Sequence, residues 1–355
     1  MPEAALKSRF VEGVNGLRTH LLEAGTPGRP CVLLLHGFPE LSYSWRKVMP
    51  ALAAAGFHVL APDQRGYGRT TGWDGRYDGD LASYRILNIV ADALALLDRV
   101  GIKTAHVVGH DFGSPVAAYA AVTRPDVFRS VTLMSAPFGG PPAALPSAEI
   151  HRELAKRGRK HYQWYYSTRE ADADMRDCPQ GIAAFLRAYY HFKSADWKGN
   201  RPHPLESWSA AELAKLPTYY VMELDKNMAE TVAPETPARP AAWLTSEDLA
   251  FYAEAFGRTG FQGGLQWYRC ATGGEFIAEL MELSGRTIDV PSMFIAGAAD
   301  WGTYQKPGEF ERMQREACTQ IRGCHLVPGA GHWVQQEQPD AVNRLLVDFL
   351  SKIRL

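Results

Sequence analysis

Apolar residues in the first half of the chain form short continuous runs that alternate with longer amphipathic stretches. The runs are rich in Val, Leu and Ile and are bounded by Gly, Pro or Asp; they are CVLLLHG (31–37), FHVLAPD (57–63), AHVVGHD (105–111) and VTLMSAP (131–137). Runs of this kind, without polar alternation, are typical of strands buried on both faces of a parallel sheet. Apolar residues recur every three or four positions in 43–56 and 86–101, which predicts helices. The pattern predicts an α/β fold with a mostly parallel sheet covered by helices on both faces.

A second region interrupts this alternation. From about residue 140 the sequence becomes helical and rich in aromatic residues, with Pro-rich joins, and a strand pattern returns at PSMFIAGAAD (291–300). We therefore predict a core made of residues 1–139 and 274–355, with a helical cap inserted as residues 140–273. Within the cap we interpret residues 217–243 as a loop.

Composition and charge narrow the class of protein. The 355 residues are 46% apolar, and 38 Lys and Arg nearly cancel 39 Asp and Glu, so nothing favours nucleic acid or an anionic membrane as partner. The N-terminal residues lack a signal-like apolar run, and no apolar stretch in the sequence is long enough to span a membrane. We therefore expect a cytoplasmic protein. Five scattered cysteines and no His cluster at metal spacing predict free thiols and no metal. Monomer and homodimer both remain open.

The stretch GHDFGS (109–114) carries the first candidate chemistry. A strand ends at Gly109, a helix opens at Gly113, and the residue between them at the nucleophile position of a G-x-S-x-G turn is Asp111. The amides at the start of the helix favour the ionised carboxylate. An Asp that only caps the helix would have the same sequence, so this motif alone leaves both interpretations open.

Two further motifs favour the catalytic interpretation. HGFPE (36–40) follows an apolar strand, and the backbone amides of Phe38 and Phe112 would converge beside position 111 as an oxyanion hole. GAGHW (329–333) places His332 after the last strand, and Asp300 ends the strand before it. Asp300 is preferred to Asp289, because functional side chains gather at the carboxyl ends of parallel strands. His36 is expected to be a structural hydrogen bonder.

Together with DQRGYGRT (63–70), these motifs resemble the α/β-hydrolase superfamily, and the cap sequence resembles its epoxide hydrolases. The cap segments that match are YQWYY (162–166) and 244–269. The resemblance implies that Tyr162 and Tyr268 are the ring-opening tyrosines, with Tyr165 as a possible substitute for Tyr162. It also implies an epoxide and water as the reacting partners, without a cofactor. Two departures are a Phe at position 112, where the family commonly has Trp, and a longer 217–243 segment. Residues expected to line the substrate pocket are Pro39, Trp164, Tyr165, Tyr166, Trp267 and Trp333.

An aspartate suits this chemistry better than a serine. A carboxylate is already ionised at neutral pH, so it can attack the saturated carbon of an epoxide without a base. The product is an ester on Asp111, which water can cleave, whereas a serine would form a stable ether. His332 would activate that water, and Asp300 would orient the imidazole. Two alternatives remain: a haloalkane or haloacid dehalogenase with the same Asp nucleophile, which leaves the tyrosines without a role, and a noncatalytic ligand-binding relative.

Overall fold

The computed structural model describes residues 6–145 and 148–355. Residues 1–5 of the N-terminal segment, which lacks a signal-like apolar run, and residues 146 and 147 of the predicted cap lie outside the described residues. The strands are β1 (Lys7–Val14), β2 (Leu17–Ala24), β3 (Cys31–Leu35), β4 (His58–Pro62), β5 (Ala105–His110), β6 (Phe128–Met134), β7 (Arg159–His161), β8 (Val221–Glu223), β9 (Ser292–Gly297) and β10 (Ile321–Val327). The helices are α1 (Met49–Ala54), α2 (Ile86–Arg99), α3 (Gly113–Thr123), α4 (Glu149–Lys156), α5 (Tyr162–Tyr166), α6 (Ala171–Arg176), α7 (Ile182–Lys193), α8 (Ala210–Leu213), α9 (Met228–Val232), α10 (Ser246–Thr259), α11 (Gln262–Thr272), α12 (Gly274–Met281), α13 (Glu309–Arg312), α14 (Val334–Glu337) and α15 (Pro339–Leu350).

The central sheet has the order β1-β2-β4-β3-β5-β6-β9-β10. From β4 to β10 in this order the neighbouring strands pair in parallel, while β2 joins the edge at β4 and β1 joins β2 in antiparallel pairs. The predicted fold class, a mostly parallel sheet within an α/β architecture, is confirmed.

Burial on both faces explains the continuous apolar runs. Every residue of β3 is buried, with Leu33 and Leu35 packed in the cluster that includes α2 and α3, and Val32 and Leu34 in the cluster that includes α1 and α15. Since successive side chains of a strand point to opposite faces, a strand covered on both faces needs apolar residues at every position.

The sequence interpretation missed the hairpin formed by β1 and β2. Asn15 and Gly16 connect the two strands, with φ of 49° and 82°. Positive φ at both central residues is the requirement of a type I′ turn, and Asn-Gly is the preferred dipeptide for it. The dipeptide was therefore the signal that locates this hairpin.

Two other predictions were wrong in detail. The helix predicted over 43–56 is a 3₁₀ turn at Ser42–Trp45 followed by the shorter α1, in which Pro50 stands in the first turn, where its missing N–H costs nothing. Residues 217–243 are not a plain loop, since they contain β8 and α9. A capping box between Asn227 and Glu230 starts α9, and this N-x-x-E spacing was the local signal for it.

The residues between β6 and β9 form α4 to α12 and a small two-stranded sheet of β7 and β8. This segment touches the core closely where α11 starts. A Cβ on Gly263 would lie 2.2 Å from the backbone oxygen of Gly66, in the loop after β4, so both positions need glycine. This contact sets how near α11 can approach the sheet edge. Along residues 6–145 and 148–355, no helix combines the length and apolar character needed to cross a membrane.

We expect Gly263→Ala to lower the free energy of unfolding by about 1–3 kcal/mol, because the added methyl group overpacks a backbone contact. Urea unfolding followed by circular dichroism measures this change. The matched control is Gly257→Ala in α10, where a Cβ would meet only Ile182 at 3.8 Å. That variant should be more stable by up to about 1 kcal/mol, because alanine favours a helix interior. Equal destabilisation by both substitutions would contradict the proposed close approach.

Candidate active site

Asp111 occupies a sharp turn between β5 and α3. Its φ is 52°, a conformation that residues with a side chain seldom adopt. The flanking glycines make the turn possible: a Cβ on Gly109 would lie 1.9 Å from the oxygen of Gly113, and one on Gly113 would lie 2.2 Å from the oxygen of Leu35. The turn holds Asp111 at the carboxyl end of the central strand, where parallel sheets commonly place functional groups.

The chain segment after β3 brings a backbone donor to this carboxylate. The Phe38 N–H donates to Oδ1 of Asp111 at 2.9 Å. Gly37 permits the approach, because a Cβ there would lie 2.3 Å from the Cβ of Asp111. Within the described chain the Phe112 N–H makes no hydrogen bond to the resting carboxylate. Its role as the second oxyanion donor stays a prediction.

His332 joins the two carboxylates predicted to accompany it. Its Nδ1 lies 3.1 Å and 3.3 Å from the two carboxyl oxygens of Asp300, and its Nε2 lies 3.2 Å from Oδ2 of Asp111. Asp300 also accepts the Gly302 N–H at 2.7 Å, which fixes its orientation. The Nε2 is buried and makes no hydrogen bond of good geometry to Asp111. The imidazole is thus anchored on one side and available for a reacting group on the other.

The environment keeps both carboxyl groups ionised. Burial would raise the pKa of Asp111, but the neighbouring His332 imidazole and the charges of Lys193 and His110 outweigh it, and the pKa lies well below its usual range. Burial likewise opposes ionisation of Asp300, yet the charge and hydrogen bond of His332 lower its pKa overall. At neutral pH the site therefore contains the ionised carboxylate of Asp111 beside a histidine that a second carboxylate contacts.

The two tyrosines named from the cap sequence lie together. Tyr162 opens α5 and Tyr268 lies in α11, and their ring centroids are 5.8 Å apart. Tyr268 packs edge to face on Phe38 and Phe112, at 5.4 Å and 4.7 Å. Burial raises the pKa of both tyrosines well above its usual range, and the charge of Asp111 raises it further. Both hydroxyls therefore keep their protons at neutral pH and are hydrogen-bond donors.

The hydroxyl partners of these tyrosines differ. Tyr162 donates to Oε1 of Gln305 at 3.2 Å and accepts from Nε2 of Gln163 at 3.2 Å. The Tyr268 hydroxyl has no hydrogen-bond partner in the described part of the chain. The hydroxyl of Tyr165 donates to Asp174 of α6 at 2.8 Å, so a different carboxylate engages it.

The predicted position of Trp164 was wrong. It was predicted to line the pocket, but it is 37% exposed, and its ring lies against that of His151, with centroids 3.8 Å apart and planes tilted by 44°. The helical period explains this: in α5, Tyr162 and Tyr166 are four residues apart and share the inward face, whereas Trp164 lies about 200° around the axis from Tyr162.

The remaining predicted lining residues are buried. Tyr166 packs between Phe38, at 5.2 Å, and Tyr268, at 4.9 Å, so it borders the candidate site. The indole N–H of Trp267 donates to the Arg65 carbonyl, and that of Trp333 to the Tyr190 carbonyl, which gives both rings fixed positions. Pro39 follows a cis peptide bond, and its carbonyl accepts the hydroxyl of Tyr190.

Sequence reasoning missed a buried charge pair behind the site. The Nδ1 of His110 lies 2.6 Å from Glu40, and its Nε2 lies 2.7 Å from the carbonyl of His332. Burial would lower the pKa of His110, but the charge of Glu40 raises it overall, and the His110 charge in turn lowers the pKa of Glu40. This pair supports the loop that carries His332. Its signal was a Glu in HGFPE and a His in GHDFGS, each at or beside the carboxyl end of a buried strand.

Comparison with known proteins gives one consistent result. Residues 30–339 match the model of the alpha/beta hydrolase fold family. The chain is 39% identical to epoxide hydrolase A of Mycobacterium tuberculosis over 350 residues, covering 96% of each chain. It is 36% identical to epoxide hydrolase B of the same organism, covering 96% of this chain and 97% of that one. The crystal structure of epoxide hydrolase A from Mycobacterium thermoresistibile superposes with a TM-score of 0.82 at 36% identity, covering 99% of this chain and 100% of that one.

These similarities extend over 96% or more of the chain, so they include the segment between β6 and β9 as well as the residues around it. The superfamily and the enzyme class expected from the motifs are confirmed. The chain belongs to the alpha/beta hydrolase fold family and, within it, to the epoxide hydrolases.

Proposed function

We propose that this enzyme converts an epoxide and water to a vicinal diol in two steps, through an ester on Asp111. The observation that carries the proposal is an ionised Asp111 in a sharp turn, beside two protonated tyrosines. Tyr162 and Tyr268 pack against each other, and the negative charge of Asp111 raises the pKa of both. A nucleophile and a proton donor are the two groups that ring opening requires.

In the first step a carboxylate oxygen of Asp111 attacks an epoxide carbon, and the bond from that carbon to the ring oxygen breaks. The electron pair goes to the ring oxygen, which takes a proton from Tyr162 or Tyr268. A buried phenol suits this task, since it stays protonated until a strongly basic alkoxide develops beside it. The result is a hydroxyalkyl ester on Asp111 and a tyrosinate.

In the second step His332 removes a proton from water, and the hydroxide attacks the carbonyl carbon of the ester. The Phe38 and Phe112 amides stabilise the oxyanion, and Asp300 stabilises the imidazolium. Collapse of the tetrahedral intermediate expels the diol oxygen, which takes the proton from His332. The carboxyl proton left on Asp111 returns to the tyrosinate, so the enzyme is restored.

We also propose the division of the chain into a core (1–139 and 274–355) and a cap (140–273), since the sheet is interrupted only between β6 and β9 within the described residues. A cytoplasmic location and a monomeric or homodimeric state remain part of this proposal. The five unpaired cysteines fit a reducing compartment. The net charge of −1 gives no electrostatic attraction to an anionic membrane.

We expect Tyr162→Phe and Tyr268→Phe each to slow ester formation about 10- to 100-fold, and the double variant to slow it by about 1000-fold or more. One remaining donor can partly replace the other, because both act on the same oxygen. Single-turnover mixing with styrene oxide measures the rate. Tyr165→Phe is the matched control and should lose little, since its hydroxyl binds Asp174. A double variant with the normal rate would refute this assignment.

Isotope labelling tests the covalent route. One turnover by excess enzyme in ¹⁸O-water should leave the label in the Asp111 side chain and not in the diol, because water attacks the ester carbonyl. Mass spectrometry of the peptide that contains GHDFGS locates the label. A labelled diol beside an unlabelled Asp111 would instead indicate direct attack of water on the epoxide.

His332→Gln should stop the second step far more than the first, because only hydrolysis needs a base. Steady-state turnover is expected to fall by about 100- to 10000-fold. The intact mass of the variant should rise by one substrate after mixing with styrene oxide, and the adduct should map to Asp111. The control is the same variant with Asp111→Asn, which should form no adduct. Full turnover by His332→Gln would mean that another group is the base.

A further inference from the structure

The carboxyl group of Glu337 collects three backbone donors around the loop that carries His332. Its Oε1 accepts the Trp333 N–H at 3.0 Å, and its Oε2 accepts the N–H groups of Gly331 and Ala195, each at 2.9 Å. The first two donors flank His332 directly in the sequence. Glu337 is buried, and these amides are its hydrogen-bond partners within the described residues.

The third donor belongs to the cap. Ala195 follows α7 by two residues, and the last residue of α7, Lys193, accepts the His332 N–H through its carbonyl at 2.9 Å. The two segments are in close contact, since a Cβ on Gly331 would lie 2.6 Å from the nitrogen of Ala195. The end of α7 and the His332 loop are therefore joined by a backbone hydrogen bond, and the Glu337 carboxyl group accepts donors from both segments.

We propose that Glu337 is a positioning residue that fixes His332 for ester hydrolysis and makes its placement depend on the docked cap. The role rests on the proposed function of His332 as the base in the second step. Glu337 touches neither Asp111 nor a substrate; it acts through the backbone at Gly331 and Trp333.

A simple capping role for α14 does not account for this geometry. A cap of that helix explains the hydrogen bond from Trp333, which immediately precedes α14. It gives no reason for the same carboxyl group to bind Gly331, two residues further back, and Ala195, 142 residues away. A loop held at both flanks keeps the imidazole between Asp300 and Asp111, and a shift of about 1 Å there can cost about 100-fold in rate.

The two half-reactions separate this role from a general structural one. Ester formation needs Asp111 and the tyrosines, whereas ester hydrolysis needs a correctly placed His332. In Glu337→Ala we expect ester decay to slow about 10- to 100-fold, with ester formation changed less than about threefold. The rate of ester decay in Glu337→Gln should lie between those of the wild type and Glu337→Ala. The Gln amide oxygen can still accept two of the N–H donors, while its NH₂ group faces the third.

The experiment mixes each variant with styrene oxide and follows the ester on Asp111 by intact-protein mass after rapid quenching. Gln338→Ala is the matched control: its side chain donates to the Gly329 carbonyl of the same loop at 3.2 Å from the exposed side, and both rates should be unchanged. Hydrogen exchange should speed up in residues 329–334 and 193–196 together in Glu337→Ala, because one carboxyl group joins the two segments.

Normal ester decay in both Glu337 variants would overturn the inference, as would an equal loss in both half-reactions. Faster exchange confined to the His332 loop would overturn the dependence on the cap. If Glu337→Ala does not fold, the isosteric Glu337→Gln decides the question. Wild-type enzyme that forms no ester on Asp111 would overturn the proposed function itself, and the positioning role with it.

Discussion

The site depends on one constraint: a carboxylate must stay ionised where little water reaches it. The side chain of Asp111 is only 12% exposed, and burial by itself favours the neutral acid. The Phe38 amide, the His332 imidazole and nearby positive charge reverse that preference. Within the described residues, the Phe38 N–H is the one backbone amide that donates to this carboxylate, and it donates to Oδ1, so Oδ2 has no backbone donor there.

The same burial has the opposite consequence for the tyrosines. A phenol carries its charge only after losing its proton, so burial and the negative field of Asp111 both hold Tyr162 and Tyr268 in the neutral form. One buried region thus holds an ionised carboxylate and two protonated phenols at the same pH. An ionised carboxylate beside protonated phenols matches the acid and base states that the proposed ring opening needs.

Further charged side chains, among them His110, Glu40 and Lys193, surround the candidate site. His110 and Glu40 form a fully buried pair beneath the His332 loop. The Lys193 ammonium lies over the rings of Tyr220 and Trp333, at 5.0 Å and 5.4 Å, and the carboxylates of the site oppose the lowering of its pKa by burial. These cations offset the concentrated negative charge of the site, so that ionised carboxylates can be accommodated in one buried region.

The sequence by itself determined the fold class and indicated the candidate residues of the core. A strand covered on both faces needs apolar residues at every position, which produces a continuous apolar run in the sequence. The turn that carries Asp111 needs glycine at 109 and 113, which produces a recognisable glycine spacing. Tertiary structure alone decided which aromatic residues face the site, because the helical phase of α5 turns Trp164 outward and Asp174 engages Tyr165. It also decided the contacts of Glu337: its hydrogen bond to an amide 142 residues away has no sequence period, since it forms only when two distant segments of the chain meet.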